Sequence, residues 1–143
     1  MIEIATEKEI EYILTFAGQS ASEGAQMKIT QEQALELLTP IIRRGATYLV
    51  TKEEDGSISG WVLLAQNMDV FSAKEYGFIY EIFVLPEHRG KGLSTKLINE
   101  GKSYLKEKGF EEVRLNVFAT NFAKKIYEKM GFTEVNCIMK SSL

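Results

Sequence analysis

The chain has 143 residues, 45% of them hydrophobic and 26% charged, with a formal net charge of −3. That length suits one domain with a single core, and the mildly acidic balance argues against a broad nucleic-acid-binding surface. One cysteine, Cys137, and one histidine, His88, exclude an internal disulfide and a Cys- or His-based metal cluster.

Met1–Ala5 reads as a short first strand. Its residues open MIEIATEKEIEYIL, which lacks the basic start and apolar block of a secretory signal. No apolar run in the chain is long enough for a bilayer. The expectation is a soluble cytoplasmic protein with no membrane partner. Thr6 has the character of an N-cap, and Ile10, Ile13, Leu14 and Ala17 follow at helical spacing. GQSASEG (18–24) is small and polar and predicts an interruption of that helix. Thr30 and Gln33 form a capping box for a second helix carrying Ala34, Leu37, Leu38, Ile41 and Ile42. Pro40 signals a kink within it, and Gly45 ends it. TYLVTK (47–52) and ISGWVLLAQ (58–66) predict a hairpin across the turn EEDGS. NMDVFSAKEYG (67–77) reads as a loop, and FIYEIFVLP (78–86) as a strand stopped by Pro86. A helix then runs from about Gly92 to Lys108 and closes at Gly109. Its apolar positions are Leu93, Leu97, Ile98, Gly101, Tyr104 and Leu105. EVRLNVF (112–118) alternates as a strand. Thr120 or Asn121 caps a short helix that Gly131 terminates, and FTEVNCIMK (132–140) is a last strand. A helix joining two strands implies a parallel crossover, while the earlier strands look antiparallel. The fold class is therefore α/β (mixed α+β): one domain over 1–143, a twisted mixed sheet of about six strands with helices on its faces.

HRGKGLSTKL (88–97) carries the chemistry. A helix beginning near Gly92 leaves its first N–H groups without intrahelical partners, and those donors with the helix dipole make an anion site. Gly90 and Gly92 leave the backbone bare, and Arg89 and Lys91 add positive charge at the rim. The stretch follows the C-terminal end of a strand, where ligands of α/β sheets sit. A Walker A loop is excluded, because Lys91 is followed by Gly92 rather than Ser or Thr. A Rossmann fingerprint is excluded, because Thr95 stands where its third glycine belongs.

FIYEIFVLPEHRGKGLSTKLI resembles the acyl-CoA-binding segment of the GNAT superfamily of N-acetyltransferases. The family signature Q/R-x-x-G-x-G/A is met by Arg89, Gly92 and Ser94, with Ser94 a small departure at the last position. LNVFATNFAKKIYEKMGF (115–132) resembles the family's second segment, with Asn121, Ala123, Tyr127, Lys129, Gly131 and Phe132 in register. The resemblance covers about residues 78 to 132; the first 45 residues match only in outline.

The resemblance implies direct attack of an amine on the thioester of acetyl-CoA, with no metal and no covalent enzyme intermediate. The pantetheine arm would extend the sheet along Phe83, Val84 and Leu85, and the N–H of Leu85 or Val84 would hold the thioester oxygen. Gly90, Lys91, Gly92, Leu93 and Ser94 would hold the pyrophosphate. Tyr127 stands where the family places a tyrosine general acid, although its spacing with Ala123 and Met130 equally suits a core tyrosine. Glu81, a carboxylate in an apolar strand, is either the general base or an outward-facing solvated residue. Tyr80 is expected on the opposite face. Asn121 either contacts the cofactor arm or caps its helix.

The acceptor implied is a small-molecule or peptide amine. Glu23, Asp69 and Glu75 hint at a cationic one, although solvated surface explains them as well. A non-catalytic acyl-CoA-binding or regulatory module on the same fold is the alternative. With about one strand after the last helix, the acceptor side is either more open than in many relatives or completed by a second subunit, as in a homodimer.

Overall fold

In a computed structural model describing all 143 residues, the sheet is built outward from a hairpin. Strands β2 (Thr47–Lys52) and β3 (Ile58–Met68) pair antiparallel. The turn between them is held by Asp55, whose Oδ1 accepts from the Ser57 N–H at 2.9 Å and lets Gly56 adopt φ +86°. Strand β1 (Ile2–Ile4) adds to the outer edge of β2, and β4 (Glu75–Val84) to the other side of β3. Strand β5 (Val113–Leu115) closes the order β1-β2-β3-β4-β5, parallel to β4. The hairpin β3–β4 reaches further into 67–77 than its loop-like composition predicts.

Helices α1 (Glu7–Leu14), α2 (Ala17–Ala25) and α3 (Gln31–Arg43) lie between β1 and β2. The expected capping box forms, Thr30 with Gln33, and the expected N-cap Thr6 completes a second box with Glu9. The segment expected to break the helix is itself α2. Its small residues serve packing: a Cβ on Gly18 would stand 3.0 Å from the Gln31 backbone. Gln31 also accepts from the Gly18 N–H (2.7 Å) and donates to the Leu14 carbonyl (2.6 Å). Tertiary bonds thus replace the propensity that glycine and serine lack.

Two apolar layers sandwich the sheet. On one face Ile13, Tyr48, Val50, Trp61, Leu63 and Phe83 are buried, with Phe16 and residues of α3 against them. On the other, Leu49, Val62, Leu64, Ile79 and Val84 meet Leu97, Ile98 and Leu105 of helix α4 (Leu93–Glu107). The short helix α5 (Ala123–Lys129) places Tyr127 on this second face. The final strand expected over 132–140 does not form, so the sheet has five strands rather than six.

Strands β3 and β4 approach closely at Gly60. A Cβ there would lie 2.8 Å from the Phe83 carbonyl oxygen, a contact that backbone cannot relieve by rotating. Gly60→Ala is expected to cost about 1–3 kcal/mol in urea unfolding, with m unchanged.

Candidate active site

The site begins with a fault in the β3–β4 ladder. Leu63 pairs with Glu81, but Leu64 pairs with Ile79, leaving Tyr80 as an extra residue. Such a bulge shifts the in–out phase of the strand. Ile79 lies on the α4 face, while Tyr80 packs on the face of α1 to α3. Beyond the bulge Phe83 and Leu85 lie on that same face, so Glu81 shares it. The expectation that Tyr80 points oppositely to Glu81 is therefore wrong, because it assumed unbroken alternation. The Tyr80 hydroxyl accepts from Asn67 Nδ2 at 3.0 Å.

Glu81 is turned inward, not outward. Its Oε1 accepts from the Tyr48 hydroxyl (3.1 Å) and from Trp61 Nε1 (3.2 Å). Burial pushes its carboxyl above the usual carboxylate range, against the opposing pull of hydrogen bonds from Ser20, Tyr48 and Trp61. Burial and then the nearby Glu81 charge push the Tyr48 phenol far above its usual range, so Tyr48 is a fixed donor. None of the three donors was visible in the sequence as part of a site. Their signal was indirect: a carboxylate within an apolar strand requires donors from its neighbours, but the register that supplies them was not readable.

The second element is a parting of strands. β5 pairs with β4 only at Gly77–Ile79, so β4 beyond Ile79 has an uncovered flank. The Leu85 N–H donates to the Ser59 carbonyl (2.9 Å), and the Phe83 carbonyl is directed at Gly60, both toward β3. Alternation then turns the Val84 groups to the uncovered flank. The Val84 carbonyl confirms this by accepting from Arg89 Nε at 2.8 Å. Of the two N–H groups expected to face a ligand, Leu85 is engaged by β3 and Val84 is the one on the open side.

The glycine loop is the third element. Gly90 and Gly92 have φ of +82° and +75°, a region that favours glycine, and no atom lies within 4 Å of where either Cβ would stand. No backbone N–H from Gly90 through Thr95 donates within the chain; the next donor is Lys96, to the Gly92 carbonyl (3.2 Å). Six consecutive donors leading into the N-terminus of α4 are thus unpaired within the chain, with the Ser94 hydroxyl also unbonded. Lys91 makes no ion pair and remains a free cation at the rim. Arg89 does not: its guanidinium is taken by Val84 and by Glu23 (2.8 Å), so it shapes the loop.

Helix α2 bridges the two loops at this opening. Besides Glu23 to Arg89, the Gly24 carbonyl accepts from Asn121 Nδ2 (3.3 Å), and Gln26 Oε1 accepts from the Thr120 hydroxyl (2.6 Å). Asn121 Oδ1 also accepts from the Ala123 N–H (2.9 Å), so it caps α5 from just outside its start. Glu23 and Asp69 are both paired, with Arg89 and Arg114, and are not free to attract a cationic acceptor. His88 is partly buried, its Nδ1 3.6 Å from Glu53 Oε1.

Tyr127 is half-buried, with its ring 6.0 Å from that of Phe132. Burial alone raises its pKa, and its hydroxyl is neither bonded within the chain nor sealed from solvent. Glu81 and Tyr127 therefore stand on opposite faces of β4, one on each side of the parting between β4 and β5. Residues 9–132 match the model of the acetyltransferase (GNAT) family.

The chain belongs to the GNAT family of acetyltransferases. An uncharacterized N-acetyltransferase of Bacillus subtilis is 30% identical over 158 aligned positions, covering 99% of this chain and 97% of that one. One from Archaeoglobus fulgidus is 34% identical over 89 residues, 61% of this chain and 60% of that protein. Among solved structures, a putative acetyl transferase from Pyrococcus furiosus superposes with a TM-score of 0.85 at 24% identity, covering both chains completely. An aminoglycoside N-acetyltransferase in complex with CoA gives 0.76 at 18%, over 100% of this chain and 93% of that one. At these identities the two structures establish the GNAT fold.

Proposed function

We propose that this GNAT protein transfers an acetyl group from acetyl-CoA to a primary amine at the parting of β4 and β5. The observation that carries the reading is the run of unpaired N–H groups from Gly90 to Thr95 beside the free Val84 N–H. The first suits a pyrophosphate; the second lies one strand-end away, as a pantetheine arm requires. When bound, acetyl-CoA supplies an activated thioester.

The rest is done by this chain's side chains and amides. The Val84 N–H donates to the carbonyl oxygen as negative charge gathers on it, a contribution of roughly 3 kcal/mol by analogy with other acyl transfers. Glu81, as carboxylate, takes a proton from the acceptor ammonium, directly or through water, so that nitrogen carries a free lone pair. Tyr127 gives its phenolic proton to the departing sulfur, and the second proton that the acylated nitrogen sheds restores the phenol. Base and acid on opposite faces let the amine enter from the α2 side and the thiolate leave on the α5 side. Acceptor identity belongs to the wall formed by α1, α2 and the β3–β4 hairpin.

Thiol release from acetyl-CoA across polyamines, amino acids, aminoglycosides and peptides with free N-termini tests the reading. Turnover with at least one amine class is expected; CoA binding with no thiol release on any of them makes the protein a binding module instead. Gly92→Ala forces an L-residue to φ +75° at a cost of about 1–2 kcal/mol. It is expected to raise the Kd for CoA about tenfold by calorimetry with little change in the circular dichroism spectrum.

A further inference from the structure

Helix α5 is seven residues long and none of them is fully buried. A helix that short does not hold itself in water, so Tyr127 must be fixed from the ends of α5 and from its neighbours. The start is tied to α2 through Asn121. The end is a Schellman cap. The Gly131 N–H donates to the Glu128 carbonyl (3.1 Å) and the Phe132 N–H to the Tyr127 carbonyl (3.0 Å), with Gly131 at φ +94°. Tyr127 and Phe132 occupy the two positions whose side chains such a cap brings together, and their rings stand 6.0 Å apart, edge to face. No hydrogen bond aims the Tyr127 hydroxyl, so the direction of the ring comes from this cap.

Lys102 reaches the cap from α4. Its Nζ donates to the Met130 carbonyl at 3.2 Å and lies 4.5 Å from the centre of the Phe132 ring. That carbonyl is among those a helix end leaves unpaired, and it carries the negative end of the helix dipole. The ring face attracts the same positive charge. Helix α4 is itself fixed to the sheet by the buried Leu97, Ile98, Gly101 and Leu105. Lys102 therefore carries the position of a well-anchored helix to a weakly anchored one, at the turn that holds the Tyr127 ring.

We infer that Lys102 is a positioning residue for Tyr127, clamping the end of α5 and the Phe132 ring so that the phenol is held at the parting of β4 and β5. The inference rests on the reading of Tyr127 as the general acid. Lys102 acts on the place of the phenol and not on its proton affinity, since burial alone raises the Tyr127 pKa.

Two substitutions test it. Lys102→Met keeps the apolar stem and loses the ammonium; Lys102→Arg keeps a cationic donor. Lys102→Met is expected to lower kcat about tenfold, as a displaced catalytic group does, with the Kd for acetyl-CoA within about twofold and the limb above pH 10 unmoved. Lys102→Arg should restore kcat to within about threefold of the wild type, because a guanidinium meets both the carbonyl and the ring. In a Tyr127→Phe background, Lys102→Met should cost less than about twofold more, because the hydroxyl it positions is gone. Amide exchange at Met130–Phe132, about tenfold faster in Lys102→Met, reads the loosened cap without turnover. An equal loss of kcat in both backgrounds overturns the inference, as do an unmoved kcat or unmoved exchange in Lys102→Met and a Lys102→Arg variant no better than Lys102→Met. An unchanged kcat in Tyr127→Phe overturns the general-acid reading itself and this inference with it, so the two failures are told apart.

Discussion

Tyr127→Phe is expected to lower kcat by about 10²–10³-fold, within the range of general acid catalysis, and to leave the Kd for acetyl-CoA within about twofold. The ring is half-buried beside Phe132, and the substitution keeps that packing. Only the hydroxyl is lost, and no partner within the chain depends on it. A phenol near pKa 10 and an alkyl thiol near 8.5 differ by about 1.5 units, or about 2 kcal/mol. Burial raises the phenol further. The transfer is therefore uphill at equilibrium, and it helps because it neutralises the negative charge that builds on the departing sulfur as the carbon–sulfur bond breaks. The same shift keeps Tyr127 protonated throughout the neutral range, so the wild-type rate should fall only above pH 10, and the variant should lose that descending limb. Steady-state kinetics with calorimetry decide the point: an unchanged kcat removes Tyr127 from the chemistry and leaves it a packing residue.

Glu81→Gln is expected to reduce kcat/KM about 10²-fold near pH 6.5 and far less near pH 9.5, where more of the acceptor amine is already neutral. The sign follows from the site. Burial raises the Glu81 carboxyl, and three hydrogen bonds draw it part of the way back. The carboxylate is the active form, so the rate climbs as pH rises through that elevated pKa. Tyr48→Phe removes one of the donors to Oε1 and raises the pKa again. Its ascending limb should move to higher pH while the plateau is kept. A tyrosine that served packing alone would change stability without moving the limb. A wild-type pH profile in Glu81→Gln rejects Glu81 as the base; a shifted profile there with none in Tyr48→Phe retains the base and rejects the tuning.

What the sequence made legible was local. Glycines at 90 and 92 announce bare backbone before a helix, and the N-cap at Thr6 and the capping box of Thr30 with Gln33 are read directly from the residues. Tyr127 and Asn121 are found through a resemblance rather than through chemistry visible in the chain. What stayed hidden depended on partners far away in sequence. Tyr80 and Glu81 share a face because β3 and β4 slip by one residue, and no composition marks a bulge in an apolar strand. The helix at 17–25 exists because Gln31 and Ile29 bond back to it, Ile29 through Ser22. The strand expected at 132–140 has the right residues but no neighbour in its own chain. Leu85 seemed as good a donor as Val84 until the Ser59 carbonyl fixed the direction of each.

The account stands most directly on one titration, acetyl-CoA into the full chain followed by calorimetry. It predicts one site per chain with a micromolar Kd, weakened about tenfold in Gly92→Ala and unaltered in Tyr127→Phe. No heat of binding at several hundred micromolar acetyl-CoA would contradict it, leaving the six free N–H groups at the start of α4 without the ligand assigned to them.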